Sequence, residues 1–299
     1  MKIIDILNDD KLSLSFEVFP PKKETSYENV RRATEEIAAM NPSFMSVTYG
    51  AGGGTSNYTI GIAKNILSQF NVPIMAHLTC ISSTKEMVRN QIEAIHNAGI
   101  DNVMALRGDI PDALKDSDRS TWDYRYAVEL IRELRETPYD FCIGAACYPE
   151  FHPESRNSRE DILHLKEKVD AGADFLTTQM VFDNNLFFQF LYRLRDAGVT
   201  VPVIPGIMPI TNGNQVKRAI KLSESFIPRR FRSIVDRFSD DPDAMRQAGI
   251  AYATDQIIDL YACGITNVHV YSMNKPDVAA GIQKNLQGIL GKSFCSVQN

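Results

Sequence analysis

The sequence predicts an α/β fold, a single-domain (β/α)8 TIM barrel, on the basis of three observations. Short strand-like runs alternate with longer amphipathic helices along the 299 residues. The first four runs begin about 30 residues apart, which is the size of one strand–helix unit. Glycines at Gly99, Gly172 and Gly198 end predicted helices just before the next strand. Eight such units favour a barrel over a doubly wound sheet, which usually has fewer strands.

The predicted strands are the apolar runs at 12–19, 44–50, 73–79, 102–108, 141–149, 175–182, 201–209 and 267–273. Amphipathic helices are predicted between them, for instance at 27–40, 85–98 and 159–171, with a last helix near 276–290. The longest insertion, at about 223–263, lies between strands seven and eight and has a helical pattern. We therefore expect one catalytic barrel over 1–299 that carries this helical insertion.

The composition argues against several classes of function. The formal net charge is −5, whereas a nucleic-acid-binding protein needs a basic face. No segment approaches the roughly 20 apolar residues that span a bilayer, and the start does not read as a signal peptide, so we expect a cytoplasmic protein without membrane contact. The five cysteines are scattered without a Cys-x-x-Cys motif, which indicates reduced thiols rather than disulfides or a zinc site.

Alternation within the strands directs polar side chains toward the barrel axis. In strand one the even-numbered residues are apolar and should pack on the helices, so Ser13, Ser15 and Glu17 should point inward. The same alternation turns polar residues of other strands inward: His77, Thr177, Gln179, His269 and Tyr271. Barrel enzymes place their sites at the carboxyl ends of the strands, where many of these residues lie.

Glu17 is the first candidate for chemistry. It lies between two phenylalanines, and Pro20 and Pro21 follow the strand. Apolar surroundings raise the pKa of a carboxyl group by desolvation, and a raised pKa suits a general acid. The pattern alone fits equally well a structural ion pair with a lysine or arginine of the barrel.

For other candidate residues, a structural role and a functional role both fit the sequence. Asp109 ends strand four and either pairs with Arg107 or places a negative charge beside a cofactor or cationic intermediate. His77 fits a satisfied core histidine, whereas His152, in a proline-bounded loop, suggests binding. The histidines lack close ligand spacing, so no metal site is expected. The glycine-rich stretch at 50–56 is either a flexible loop or a phosphate cradle, although it lacks a P-loop ending.

Eight stretches, in this order, resemble one family, the methylenetetrahydrofolate reductases: SFEVFPPK, SVTYGAGG, AHLTC, ALRGD, YPEFHPE, LKEKVDAGADFLTTQMVFD, VIPGIMPI and HVYSMNK. They run from strand one to strand eight. The resemblance implies an FAD-containing (β/α)8 barrel of one-carbon metabolism and methionine biosynthesis. Such an enzyme reduces 5,10-methylenetetrahydrofolate to 5-methyltetrahydrofolate.

The resemblance also assigns roles to residues. Glu17 matches the general acid that protonates folate N10 and opens the ring to an iminium cation, and FAD carries the hydride. Asp109 matches an acidic residue between flavin and folate whose charge favours that cation. Substrate binding is implied for Glu17, Asp109, Gln179, Tyr271 and Lys275. FAD binding is implied for Thr48, His77, Arg107, Gly108, Asp109, Tyr126, Ala127, Tyr148, His152, Asp161, His164 and Lys168.

Three positions depart from the family pattern. His164 replaces a common asparagine. Lys275 replaces an arginine near the folate tail, so the positive charge is kept but the bidentate binding of a carboxylate is lost. Gly213 stands where some members have a phenylalanine that stacks on nicotinamide or folate. The electron donor is therefore either NAD(P)H or an electron-transferring partner subunit. We also expect an oligomer, and no inhibition by S-adenosylmethionine, since no regulatory region follows the barrel.

Two alternatives belong to other classes of function. A metal-dependent barrel hydrolase would use the scattered histidines with Asp109, and its pure protein would contain zinc without a flavin spectrum. A non-catalytic folate-binding subunit would bind folate tightly without FAD.

Overall fold

Eight parallel strands form a closed barrel in the computed structural model, which describes residues 1–21, 24–49, 56–110, 114–223 and 225–293. Each strand pairs with its neighbours in chain order, and the last pairs with the first. The strands are β1 (Ser13–Val18), β2 (Met45–Val47), β3 (Ile74–Thr79), β4 (Asn102–Leu106), β5 (Cys142–Cys147), β6 (Phe175–Met180), β7 (Val203–Ile207) and β8 (Asn267–Tyr271). The predicted fold class is confirmed, and a closed barrel excludes the open doubly wound sheet.

The α-helices follow one another around the outside of the barrel, except for the short α1, which lies beneath it. They are α1 (Ile3–Leu7), α2 (Tyr27–Ala38), α3 (Ser56–Phe70), α4 (Lys85–Asn97), α5 (Ala127–Glu136), α6 (Ser158–Asp170), α7 (Asn184–Asp196), α8 (Gly213–Ser223), α9 (Arg229–Phe238), α10 (Pro242–Ala262) and α11 (Pro276–Leu286). Helices α9 and α10 lie in the predicted helical segment between β7 and β8. Most of the glycine-rich stretch, residues 50–55, lies outside the described residues. None of the helices described combines the length and apolar character that crossing a bilayer requires.

Local sequence explains where several helices begin. The side chain of Asn157 accepts a hydrogen bond from the backbone N–H of Glu160 and caps α6. Asp241 caps α10 in the same way, and a proline occupies the first turn of that helix, where it costs no hydrogen bond. The Asn157 cap begins α6 in the segment that follows β5, and residues of both elements line the same cavity at the carboxyl end of the barrel.

The other end of the barrel is closed by apolar side chains and by α1. Ile3 and Leu7 of α1 pack against inward-facing residues of the strands, among them Phe175. The side chain of Asn102 accepts from the backbone N–H of Ile3 at 2.8 Å and holds the helix beneath the barrel. Because this end is filled, the carboxyl ends of the strands are left as the open mouth.

Candidate active site

A cavity of about 880 Å³ occupies the carboxyl-terminal mouth of the barrel. Every site residue predicted from the sequence lines it, with the exception of Lys275. The Lys275 ammonium group instead donates a hydrogen bond to Thr211 Oγ1 at 2.8 Å. Residues far apart in the chain meet here because parallel strands in a closed barrel bring all their carboxyl ends to one face.

Glu17 points into this cavity from β1 with little access to solvent. Its Oε2 atom lies 3.5 Å from Ser46 Oγ and 3.5 Å from His77 Nε2, and its side chain is 20% exposed. Burial raises the pKa of the Glu17 carboxyl to about 8, against the weaker lowering effect of the Ser46 hydroxyl. The expected rise is confirmed. The alternative of an ion pair is wrong, since no lysine or arginine within the described ranges pairs with Glu17.

His77 faces Glu17 from β3. Burial lowers the pKa of its imidazole to about 4, so near pH 7 the close contact with Glu17 joins two neutral groups rather than two ions. Its Nε2 atom is buried and makes no hydrogen bond with the part of the chain that the structure describes. The interpretation of His77 as a satisfied core histidine is therefore wrong. A buried polar atom of this kind is suited to a ligand in the cavity.

A second imidazole lies deeper, behind Glu17. His269 Nδ1 lies 2.7 Å from Ser15 Oγ, and its Nε2 lies 3.0 Å from Ser46 Oγ. The ring stacks on Phe44, with centroids 5.4 Å apart. Burial lowers the pKa of His269 to about 3, so the imidazole is neutral. Sequence reasoning missed Ser46, although the same alternation within strand two turns it inward.

The wall opposite β3 comes from β6 and β8. Tyr271 donates its hydroxyl to the backbone oxygen of Thr178 at 2.5 Å, which fixes the ring across the barrel. The side-chain oxygen of Gln179 accepts from the backbone N–H of Met180 at 3.0 Å. Thr177 Oγ1 is buried without a hydrogen-bond partner among the residues described and lines the same cavity.

The end of β4 brings a cation to the mouth. The Arg107 guanidinium binds the two carboxylate oxygens of Glu154 at 2.7 and 2.9 Å. The alternative pairing of Arg107 with Asp109 is therefore wrong, and Asp109 is exposed at the mouth. Gly108 takes the left-handed conformation, with φ +88°, where the chain turns between them. Sequence reasoning missed Glu154, although it belongs to the YPEFHPE stretch.

The rest of the mouth is formed by α6 and the loop before it. Lys168 donates to the backbone oxygen of Ala146 at 2.9 Å, and burial lowers its pKa. Asp161 is buried and accepts from Ser155 Oγ at 2.9 Å, and His152 Nδ1 accepts from a backbone N–H. The remaining predicted residues also line the cavity: Thr48, Tyr126, Ala127, Tyr148 and His164.

Gly213, the position without an aromatic ring, begins α8. A Cβ atom added at Gly213 would lie 2.7 Å from Cβ of Ser239, the residue that follows α9. Such a distance is shorter than side chains tolerate, so a larger residue here requires α9 to move.

The arrangement combines a proton donor with two kinds of polar surface. Glu17 holds a proton at neutral pH on one wall of the cavity. Basic groups line the side near α6, and the carboxylate of Asp109 lies at the mouth. A site built in this way can protonate a bound molecule and hold an anionic ligand beside it.

Comparisons with known proteins agree with the geometry. The family model for methylenetetrahydrofolate reductase matches residues 2–287. The 5,10-methylenetetrahydrofolate reductase of Escherichia coli is 34% identical, over 91% of this chain and 90% of that protein. Methylenetetrahydrofolate reductase (NADH) 1 of Zea mays is 35% identical over 99% of this chain, which covers 51% of that protein. The chain thus spans about half the length of the plant and yeast relatives it matches.

A solved structure supports the fold alone. An uncharacterized protein from Clostridium thermocellum, which binds two copies of 5-methyl-5,6,7,8-tetrahydrofolic acid, superposes with a TM-score of 0.68. It is 16% identical in sequence, and the match covers 95% of this chain and 98% of that one. The barrel, the cavity lined by the predicted residues and the family match over nearly the whole sequence lead to one conclusion. The chain belongs to the methylenetetrahydrofolate reductase family.

Proposed function

We propose that this chain reduces 5,10-methylenetetrahydrofolate to 5-methyltetrahydrofolate, with Glu17 as general acid and FAD as hydride carrier. The observation that carries the proposal is the position of the Glu17 carboxyl on the wall of the cavity, where burial raises its pKa to about 8. The family match supports the reaction, and the folate bound by the distant structural neighbour is compatible with it.

The pKa of Glu17 determines whether it can act as an acid. With a pKa of about 8 the carboxyl is about 90% protonated at pH 7, whereas at the ordinary value of 4.5 it would be protonated less than about 1% of the time. Glu17 can therefore give its proton to folate N10 at neutral pH. The neutral imidazole of His77, 3.5 Å away, does not compete as an acid.

Other residues of the cavity are suited to hold the folate. The carboxylate of Asp109 lies at the mouth and would favour a cationic intermediate. Gln179 and Tyr271 line the same cavity and offer an amide and an aromatic face. Lys275 lies outside the cavity, where its ammonium group is suited to the carboxylates of a folate tail.

The residues present fit a flavin dinucleotide. The cavity volume lies in the upper part of the range common for cofactor sites, about 300–1,000 Å³. His77 Nε2 and Thr177 Oγ1 are buried polar atoms without a hydrogen-bond partner among the described residues, so each can bond a group of the cofactor. Arg107, His152 and Lys168 can donate to phosphates, and Arg107 would exchange Glu154 for such a group. When bound, FAD would supply the hydride.

The test uses purified protein and Glu17→Gln. We expect a yellow protein whose reduced form is reoxidised by methylenetetrahydrofolate. Glu17→Gln should keep the flavin and slow that half-reaction about a hundredfold or more, because a general acid contributes at least that much. Glu93→Gln, on the exposed face of α4, is the control. Unchanged folate reduction by Glu17→Gln would refute the assignment, and a colourless protein with zinc or with tightly bound folate would favour the rival functions.

The electron donor is proposed separately as NAD(P)H or an electron-transferring partner subunit. The tight packing of Gly213 against Ser239 supports a donor that does not stack on a ring at this position. NADH and NADPH oxidation by the isolated chain, with an artificial acceptor, distinguishes the two. Brisk, saturable turnover would remove the need for a partner.

A further inference from the structure

A line of buried polar side chains runs behind Glu17. Ser46 Oγ lies 3.5 Å from Glu17 Oε2 and 3.0 Å from His269 Nε2. On its other side the imidazole lies 2.7 Å from Ser15 Oγ. Ser15, Ser46 and His269 are each 1% exposed or less, so solvent does not replace these contacts.

Glu17 has few other groups to stabilise it after it loses its proton. His77 on β3 carries no charge, and its Nε2 atom makes no hydrogen bond with the described residues although it lies 3.5 Å from Glu17 Oε2. The Tyr271 hydroxyl on β8 is neutral and donates to a backbone oxygen. The charged groups that line the same cavity from other elements are Arg107, Asp109, Glu154, Arg156, Glu160, Asp161, Glu167 and Lys168. Arg156 is bound to Glu160. Arg107 is bound to Glu154 and Lys168 to a backbone oxygen. Ser46 is therefore the hydroxyl placed to donate to a Glu17 carboxylate.

The direction of the Ser46 hydroxyl depends on His269. A hydroxyl has one proton, and Ser46 can give it either to Glu17 or to the imidazole. If Nε2 carries the imidazole proton, it donates to Ser46 Oγ, and the Ser46 hydroxyl must turn toward Glu17. Ser15 then completes the line by donating to Nδ1, and the stacking of His269 on Phe44 holds the ring in this plane.

We propose that Ser46 and His269 are positioning residues that stabilise the ionised form of Glu17, with His269 Nε2–H directing the Ser46 hydroxyl onto the carboxylate. The inference rests on the proposed role of Glu17 as proton donor. Glu17 gives its proton to the substrate nitrogen, and Ser46 and His269 keep theirs. Their contribution is a hydrogen bond that strengthens as the carboxylate forms.

The experiment follows the protonation of Glu17 directly. Difference infrared spectra of the full chain, recorded against pH, report the C=O stretch of the protonated carboxyl, and Glu17→Gln identifies that band. In Ser46→Ala we expect the pH at which Glu17 is half ionised, the midpoint, to rise by about one unit, because the carboxylate loses one hydrogen bond. Ser46→Thr keeps the hydroxyl and should restore the midpoint. Ser13→Ala removes a comparable hydroxyl that bonds Asn267 deeper in the barrel, and should not move it.

A double-mutant cycle tests the part played by His269. His269→Phe keeps a ring on Phe44 and should raise the midpoint when Ser46 is present, but not in the Ser46→Ala background. An unchanged midpoint in Ser46→Ala, or an equal shift by His269→Phe in both backgrounds, would overturn the proposal. If His269→Phe does not fold, nitrogen NMR of wild-type His269 decides, since a proton on Nδ1 above the Glu17 midpoint contradicts the inference. None of these measurements needs folate turnover, so they can refute the role of Ser46 and His269 without refuting the proposed function, and the reverse.

Discussion

Replacing Glu17 with glutamine is expected to stabilise the folded chain at neutral and alkaline pH. The folded state raises the pKa of Glu17 from 4.5 to about 8, so between these values it binds more protons than the unfolded state. Stability falls with rising pH wherever the folded state binds more protons. The raised pKa of Glu17 therefore does not lower the unfolding free energy below pH 4.5, and it lowers it increasingly as pH rises from 4.5 to about 8. The glutamine side chain does not titrate, so the variant lacks this contribution to the pH dependence of stability.

The magnitude follows from the size of the shift. One pKa unit corresponds to about 1.4 kcal/mol, so the raised pKa of Glu17 lowers the unfolding free energy by about 3 kcal/mol at pH 7 and by about 5 kcal/mol at pH 9. At pH 5 the same calculation yields less than about 1 kcal/mol. The side chain is 20% exposed, which makes these values upper limits because water reaches the carboxylate.

Urea unfolding of wild type and Glu17→Gln between pH 5 and 9 measures the effect. The difference in unfolding free energy between the two proteins should increase steadily with pH in favour of the variant. Glu93→Gln, on the exposed face of α4, should track wild type across the range. A constant difference between Glu17→Gln and wild type from pH 5 to 9 would show that the carboxyl titrates normally, in which case Glu17 is ionised at neutral pH and cannot act as a general acid.

Two glycines of the barrel lead to further predictions. A Cβ at Gly206 would lie 2.6 Å from the Tyr271 ring, so Gly206→Ala should cost about 1–3 kcal/mol of unfolding free energy and weaken calorimetric binding of 5-methyltetrahydrofolate. Normal binding would show that Tyr271 does not contact the ligand. A Cβ at Gly249 would lie 1.8 Å from the backbone oxygen of Ile210, so Gly249→Ala should lose more than about 3 kcal/mol in urea unfolding. Gly288→Ala, with open space around it, is the control, and equal losses in both variants would contradict the packing argument.

Local pattern was sufficient to predict most of the fold. The strand between residues 12 and 19 could be read from the alternation around Glu17, because successive side chains of a strand face opposite sides. The same rule turns His77 and His269 inward. Helix ends are harder to predict: the last helix ends at Leu286 rather than near 290, because terminal turns carry weak local signals.

The contacts of the site were harder to predict because they join distant parts of the chain. Arg107 pairs with Glu154, 47 residues away, instead of with the nearby Asp109. Ser46 meets His269 across 223 residues. Such pairs depend on how far each strand is shifted along its neighbour, and a single sequence does not contain that information.

The parallel barrel and the acid on its first strand can both be predicted from the amino-acid pattern, since both follow from periodicities that each segment carries alone. The raised pKa of Glu17, by contrast, is a property of the folded barrel. Its pKa depends on which groups other strands bring beside it, and closing the barrel places an imidazole and a hydroxyl there instead of a cation.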